Sequence, residues 1–451
     1  KFLVFACCLL FTTNLFSCKN DDYRKNKTLD TTEAVKLHIA GKTPSFKAME
    51  NVITAFCKMY PNVTIDYEYL QNYEKSLETR LIGNDDIDLF VTKNIQEDSP
   101  LLSYVLELKS NSEHLDLSST YEGLIRNFTI TKDNLNELYS VPLCGELRGM
   151  YVNKTILSKY KLSIPKNYVE FMNCCKVLKN AGYIPLQGNP GNFSQLLMYP
   201  YICNIIANSD DYKTVYNKVN SCEPGVSLLF KEPMSKLYDI VTLGFYNYKY
   251  VENTYQIFLD ADIDTNTNDF FNIKTNSDGK TWKKDDVGQV PFLPGTMSWE
   301  NSFEKVKQDY HSKIEYEFIL APVGDDSGFA YLSPSEGLAI NKRSAHTEWA
   351  LEFMNYLFSE KVNKKFASDQ NLIPNTNDAM DYINDVFKIS PNCISQLGQV
   401  SFDYVFYSVI QKTLIDISKG NNPKYMQADG QMYSLDYYMN TLEKDFIAER
   451  R

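Results

Sequence analysis

The sequence predicts an α/β protein built as two lobes that exchange segments of chain. Three observations predict it: a β-α-β-α-β alternation over the first hundred residues, a run of helices at the far end, and a length of 451 residues. At roughly 150 residues per domain, that length gives two or three domains. Val35–Ala40 alternates and stops at Gly41, a strand followed by a turn. Over Pro44–Tyr60, Phe46, Met49, Val52, Ile53, Phe56 and Met59 recur at the three-and-four spacing of a helix with one buried face. Thr43 suits its N-cap and Pro44 its first turn. Pro61-Asn62 breaks that helix, Val63–Tyr69 alternates as a second strand, a helix follows over Tyr73–Ile82, and Ile87–Thr92 is a third strand. Such alternation implies a mostly parallel sheet with helices on its faces. Ligands then sit beyond the carboxyl ends of the strands, which points to Lys42, Thr43, Thr92 and Asn94.

Further on, helical patterns cover Tyr168–Lys179, Phe193–Ala207 and Met234–Tyr246, while Asp260–Asp278 is polar and irregular. Val290–Met297, Glu315–Ala321 and Leu338–Ile340 read as extended. Thr347–Phe358, Glu360–Phe366, Phe402–Ile417 and Met432–Ile447 read as helices.

Composition removes several function classes. Hydrophobic residues at 43% and charged residues at 23% supply large cores and exclude disorder over most of the chain. The net charge is 46 − 57 = −11, the wrong sign for a nucleic-acid surface. Four histidines (His38, His114, His311, His346) are scattered without paired metal spacing, and neither a G-x-S-x-G elbow nor a Walker A loop occurs. Asp260–Phe271 opens like a calcium loop but has Thr265 in place of the glycine and Phe271 in place of the bidentate glutamate. No metal, cofactor or catalytic set is expected.

Phe2–Phe16 is a short apolar run, below the roughly 20 residues a bilayer span requires. It reads as a secretory signal, and Leu15-Phe16-Ser17-Cys18 resembles the end of a bacterial lipoprotein signal. On that resemblance, residues 1–17 are removed and Cys18 carries diacylglycerol and an amide-linked chain, an anchor on the outer face of the cell membrane. The alternative is an ordinary cleaved signal with an incidental cysteine. Residues 18–32 are polar and suit a flexible tether. Beyond Cys18 and the two cysteines of the apolar run, seven cysteines remain: Cys57, Cys144, Cys174, Cys175, Cys203, Cys222 and Cys393. An odd count without C-x-x-C spacing suits buried thiols, and nothing in the spacing supports a Cys203–Cys222 bridge.

Several segments, in order, carry a family likeness. These are Phe56–Tyr69 (FCKMYPNVTIDYEY), Leu138–Lys154 (LYSVPLCGELRGMYVNK), Leu162–Pro185 (LSIPKNYVEFMNCCKVLKNAGYIP), Phe318–Lys342 (FILAPVGDDSGFAYLSPSEGLAINK), Ala350–Phe358 and Asn371–Pro374. Together they resemble the extracellular solute-binding proteins of ABC importers, in particular the carbohydrate-binding group that includes maltose/maltodextrin-binding proteins. One departure is Asn167-Tyr168 where Thr-Trp is common. The resemblance implies a two-lobe periplasmic-binding-protein-like fold, each lobe a mostly parallel sheet flanked by helices, with a helical C-terminal extension. It places 33–144 plus 322–343 in lobe one and 145–321 plus 344–451 in lobe two. It further implies a monomer that captures a sugar or oligosaccharide and delivers it to permease subunits, with no cofactor and no bond broken.

A sugar requires aromatic platforms and planar polar side chains. The resemblance places a cleft aromatic at Trp299, with lobe-two core as the alternative. Glu146 matches a polar position that contacts sugar in relatives, the alternative being a solvated charge. Phe193 and Tyr407, with Tyr404 three residues before it, fall near further cleft aromatics; a helix-start staple and a core tyrosine stripe are the competing readings. Trp349, beside Ala350 and Phe353, is expected in the core. The same fold could take a peptide or polyamine, and a surface glycan-acting enzyme or an adhesin is the rival from another class.

Overall fold

Alternation along Val35–Gly41 sends Val35, Leu37 and Ile39 to one face and Ala40 to the other, and this stretch is strand β1. The computed structural model describes residues 28–44, 46–83, 85–93, 95, 99–111, 113–132, 135–188, 196–197, 214, 218–219, 221–246, 268–326, 328–387, 394–396 and 409–449. After β1 come α1 (Lys47–Met59), β2 (Val63–Tyr69), α2 (Tyr73–Gly83), β3 (Leu89–Thr92), the short α3 (Glu122–Ile125), the hairpin β4 (Thr129–Lys132) and β5 (Leu135–Leu138), and β6 (Val141–Pro142). The chain then leaves this lobe through the long strand β7 (Cys144–Asn153) and continues with α4 (Lys154–Lys159), α5 (Tyr168–Asn180) and α6 (Lys231–Thr242). A second hairpin, β8 (Ile273–Thr275) and β9 (Thr281–Lys283), precedes β10 (Phe292–Thr296), α7 (Glu300–Asp309), β11 (Tyr316–Ile319) and β12 (Ala330–Pro334). It returns as β13 (Gly337–Ile340), α8 (Thr347–Phe358) and α9 (Glu360–Ser368). It crosses a third time through β14 (Ile373–Pro374) into α10 (Ala379–Phe387), β15 (Ile394–Gln396), α11 (Gln411–Lys419) and α12 (Leu435–Ala448).

The first sheet has the order β2-β1-β3-β13-β6. β1 runs parallel to β2 and β3, and β13 is antiparallel to β3 and β6. Leu37, Ile39, Leu89, Val91, Leu338 and Ile340 pack on one face under α1, α8 and α9, while Ala40, Phe90 and Ala339 meet α2 on the other. Burying such side chains contributes about 1.5–3 kcal/mol each, enough to fix the register, since a one-residue slip would exchange the faces.

The second sheet is organised on β7. β10 and β14 pair along one of its edges, β11 and β12 along the other, all antiparallel to it. Among the described residues only the β12–β15 ladder of this sheet is parallel. The expectation of a mostly parallel sheet therefore holds for β2-β1-β3 and fails for lobe two, because successive strands there return against one central strand. Met150 and Val152 face a core shared with α5, α6, α11 and α12, and Tyr151 faces a second, aromatic core.

Packing also redraws the lobe boundaries. Trp349, Phe353, Leu357 and Phe366 of α8 and α9 lie in the core of the first sheet, so these helices belong to lobe one and not to lobe two as expected. β12 lies in the second sheet, so the return to lobe one happens at Ser335-Glu336, later than residue 322. Helix α1 starts with Phe46 at its N-cap and no side-chain cap, whereas Thr43 was expected there; the Thr43 carbonyl instead accepts from the Tyr67 hydroxyl at 3.1 Å.

Burial raises the thiol pKa of Cys174 to about 11 and those of Cys144 and Cys175 further, so all three stay protonated thiols. Cys222 is buried, and Cys203 lies outside the described residues. No helix among the described residues is long and apolar enough to cross a membrane.

Candidate functional site

Parallel β1 and β3 end at Gly41 and Thr92, and antiparallel β13 begins beside them, with Gly337 opposite both Thr92 and Pro142. One edge of the first sheet therefore collects Lys42, Thr92, Lys93 and Glu336 at the place where the chain passes into β7. Tyr73 stiffens this edge from below: its hydroxyl donates to the carbonyls of Ala40 and Val91, the penultimate residues of the two strands. Lys42 makes an ion pair with Glu336. Burial and the nearby Lys93 charge hold the Lys42 pKa below the usual lysine value, only partly offset by Glu74. Thr92 is 8% exposed and Thr43 is exposed.

Across the passage, alternation along β7 puts Glu146 and Arg148 on one face. Both oxygens of Glu146 are engaged: Oε1 accepts from Ser298 Oγ at 2.8 Å and Oε2 from the Arg148 guanidinium at 3.2 Å. Ser298 Oγ also lies 2.7 Å from Thr296 Oγ1. The carboxylate is thus held in one orientation by Arg148 of its own strand and by Ser298 in the turn that follows β10, and it remains half-buried. A preset carboxylate–guanidinium pair offers acceptors and donors side by side, the pattern adjacent hydroxyls require.

Trp299 follows directly, but it is 7% exposed. Its indole lies parallel to Tyr151 (6.4 Å, 4°) over Gly295, where a Cβ would come within 2.6 Å of the ring. Of its two readings, packing supports the core one. Trp349 is likewise in the lobe-one core, as expected. Behind Trp299, the Tyr316 hydroxyl donates between Glu300 (3.0 Å) and Glu304 (2.5 Å), and burial raises the Glu300 pKa. His38, on β1, sets Nε2 2.8 Å from Glu68 and Nδ1 3.5 Å from Asp86. Among the described residues no group of three or more His, Cys, Asp or Glu side chains is arranged to hold a metal.

The structure therefore brings Lys42, Thr92 and Glu146 to the margins of the inter-lobe passage, with Thr43 on the exposed loop beside them. Asn94, Phe193, Tyr404, Tyr407 and Cys18 lie outside the described residues. Sequence reasoning missed Arg148, Ser298 and Glu336. Signals existed for all three: Arg148 stands two residues beyond Glu146 on one strand face, Ser298 precedes Trp299, and Glu336 abuts the start of a strand.

Residues 40–364 match the bacterial extracellular solute-binding protein family. The chain belongs to that family. In fold it is similar to the GacH receptor of Streptomyces glaucescens, at 13% identity and a TM-score of 0.63, covering 93% of this chain and 100% of that one. The apo form of RafE from Streptococcus pneumoniae is similar at 12% identity and TM-score 0.62, covering 93% and 99%. MalE from Xanthomonas citri follows at 14% identity and TM-score 0.62, covering 92% and 98%. At such identities the likeness is one of fold. No curated protein matches the chain by sequence.

Proposed function

We propose that this solute-binding protein captures a sugar or oligosaccharide between its two lobes outside the cell and delivers it to the permease of an ABC transporter. The observation that carries the reading is the Glu146–Arg148 pair on β7, oriented by Ser298 from the turn after β10, one short passage away from the Lys42–Glu336 pair at the strand ends of lobe one. A ligand touching both groups favours the shut form by its differential affinity, and that difference is what a permease can read. The matched charges, Lys42 with Glu336 and Arg148 with Glu146, favour a neutral polyol over a polyamine or an acidic peptide. In support, the fold relatives include RafE solved with raffinose and GacH solved with acarbose. We further propose Cys18 as a lipid anchor that holds the receptor at the outer face of the cell membrane, on the strength of the Leu15-Phe16-Ser17-Cys18 pattern. Binding without turnover completes the reading.

A thermal-shift screen of mono- and oligosaccharides tests it. A sugar present at one hundred times its Kd adds about 2.7 kcal/mol to the folded form and raises the melting temperature. A flat response to every saccharide, with a shift for polyamines or peptides, overturns the reading. Release of cleaved saccharide would favour the enzyme instead.

A further inference from the structure

The polypeptide passes between the lobes three times, and each passage carries a proline: Pro142 before β7, Pro334 at the end of β12, and Pro374 in β14. Each fixes its own φ. The three strands are also sewn together. The Cys144 N–H donates to Ser335 Oγ at 3.0 Å, the Ser335 N–H to the Cys144 carbonyl at 2.8 Å, and the Leu143 N–H to the Glu336 carbonyl at 2.8 Å. Ile373 and Pro374 pair with Gly145 and Cys144.

Two fully buried asparagines close this arrangement on the lobe-one side. Asn363, on α9, donates Nδ2–H to the Leu143 carbonyl at 2.9 Å, and its Oδ1 accepts from the Asn375 N–H at 2.7 Å. Asn375 donates Nδ2–H to the Pro142 carbonyl at 2.7 Å, and its Oδ1 accepts from the Tyr121 N–H at 3.1 Å. The chemistry leaves no choice of amide orientation, because each side chain meets one carbonyl and one N–H. Consecutive carbonyls of the first passage and the exit of the third are thereby tied to α9 and to the segment leading into α3.

We propose that Asn363 and Asn375 are positioning residues for ligand capture. They make Pro142–Leu143 and Asn375 part of rigid lobe one, which confines the swing between lobes to Cys144–Gly145, Ser335-Glu336 and the chain between Asn375 and α10. The inference rests on the closing-receptor reading for its purpose, though not for its test. Losing either amide strands buried backbone groups at the pivot and frees torsions there, so the free protein samples a wider range of lobe separations.

Genetically encoded spin labels at the exposed positions Glu113 and Lys305 report the distance between lobes in the free protein. Asn363→Ala and Asn375→Ala should broaden the distribution and move its mean by more than about 2 Å, the size that separates a rearrangement from local adjustment. Asn363→Asp keeps the shape and the acceptor and sets a carboxylate oxygen against the Leu143 carbonyl in place of the donor, so it decides the matter should an alanine variant fail to fold. Asn153→Ala is the control. That equally buried asparagine bonds Val287 and Ile156 inside lobe two, so its loss should lower the melting temperature and leave the distribution unchanged. Hinge variants with the wild-type distribution overturn the proposal. Wild-type distances that ignore raffinose and maltotriose count instead against the receptor reading, and leave the free-protein comparison intact.

Discussion

Trp299→Ala separates a core indole from a ligand platform. The side chain is 7% exposed and borders Tyr151 and Gly295, in a cluster with Phe270, Phe271, Leu293 and Phe303. Two of the flanking walls are the paired strands β7 and β10, whose register runs from Phe292↔Val152 to Thr296↔Arg148, so the site cannot collapse to fill the void. A Trp→Ala change in such a site costs about 3–5 kcal/mol. For a unit of 150–250 residues each kcal/mol moves the melting temperature roughly 2–4 °C, giving an expected loss of about 6–20 °C. Calorimetry of the unliganded variant reads this directly, and titration with a sugar that stabilises the parent protein gives the binding side. Should the variant melt within a degree of the parent while losing the sugar, the indole is ligand surface and the packing argument is wrong.

Three further outcomes are expected. Glu146→Gln removes the ion pair with Arg148 while leaving an acceptor for Ser298, so sugar affinity should fall about tenfold, the equivalent of 1.4 kcal/mol, with the unliganded melting point nearly constant; isothermal titration measures both parts, and unchanged affinity places the ligand elsewhere. At Gly149 a Cβ would sit 2.5 Å from the Ile319 carbonyl oxygen and 2.8 Å from the Phe318 ring, so Gly149→Ala should destabilise by about 1–3 kcal/mol in a denaturant titration through overpacking; a neutral result would show that β11 yields easily. Asp285 concerns acid stability. Burial alone would raise its pKa, but the amides of Gly288 and Val287 and the Asn272 side chain outweigh burial and hold it below the usual value. Its contribution is therefore complete above the unfolded value near 3.9 and fades as pH drops through the lower folded one. Asp285→Asn should flatten that acid limb, as followed by melting temperature against pH, and an unaltered limb would refute the assignment.

The local elements were largely legible. Val63–Tyr69 and Thr347–Phe358 occur with the bounds their patterns indicate, since period two and period 3.6 over seven or more residues leave little ambiguity. Less legible were features set by distant partners. β3 begins at Leu89 and not Ile87, and Asp88 instead carries a side-chain oxygen that accepts from the His38 N–H at 2.8 Å. The apolar faces of α8 and α9 announced burial without naming the sheet they would cover, and the lobe assignment failed there. At the candidate site, the carboxyl-end rule reached Lys42 and Thr92 because it depends on strand direction alone. Glu336 and Ser298 stood beside legible features, but their pairing with Lys42 and Glu146 depended on which strands become neighbours, which a single sequence does not display.

Because β13 lies between β3 and β6, the first sheet cannot be finished in the order in which it is synthesised. When Val141-Pro142 leaves the ribosome, the strand it must border is almost two hundred residues away, and the helices that cover Leu37 and Ile39 come later still. The nascent amino-terminal half must therefore wait, with apolar surface uncovered, while most of the other lobe is made. Such a chain is a natural client for holding chaperones, and a premature stop before residue 337 should yield an insoluble fragment and not an independent half.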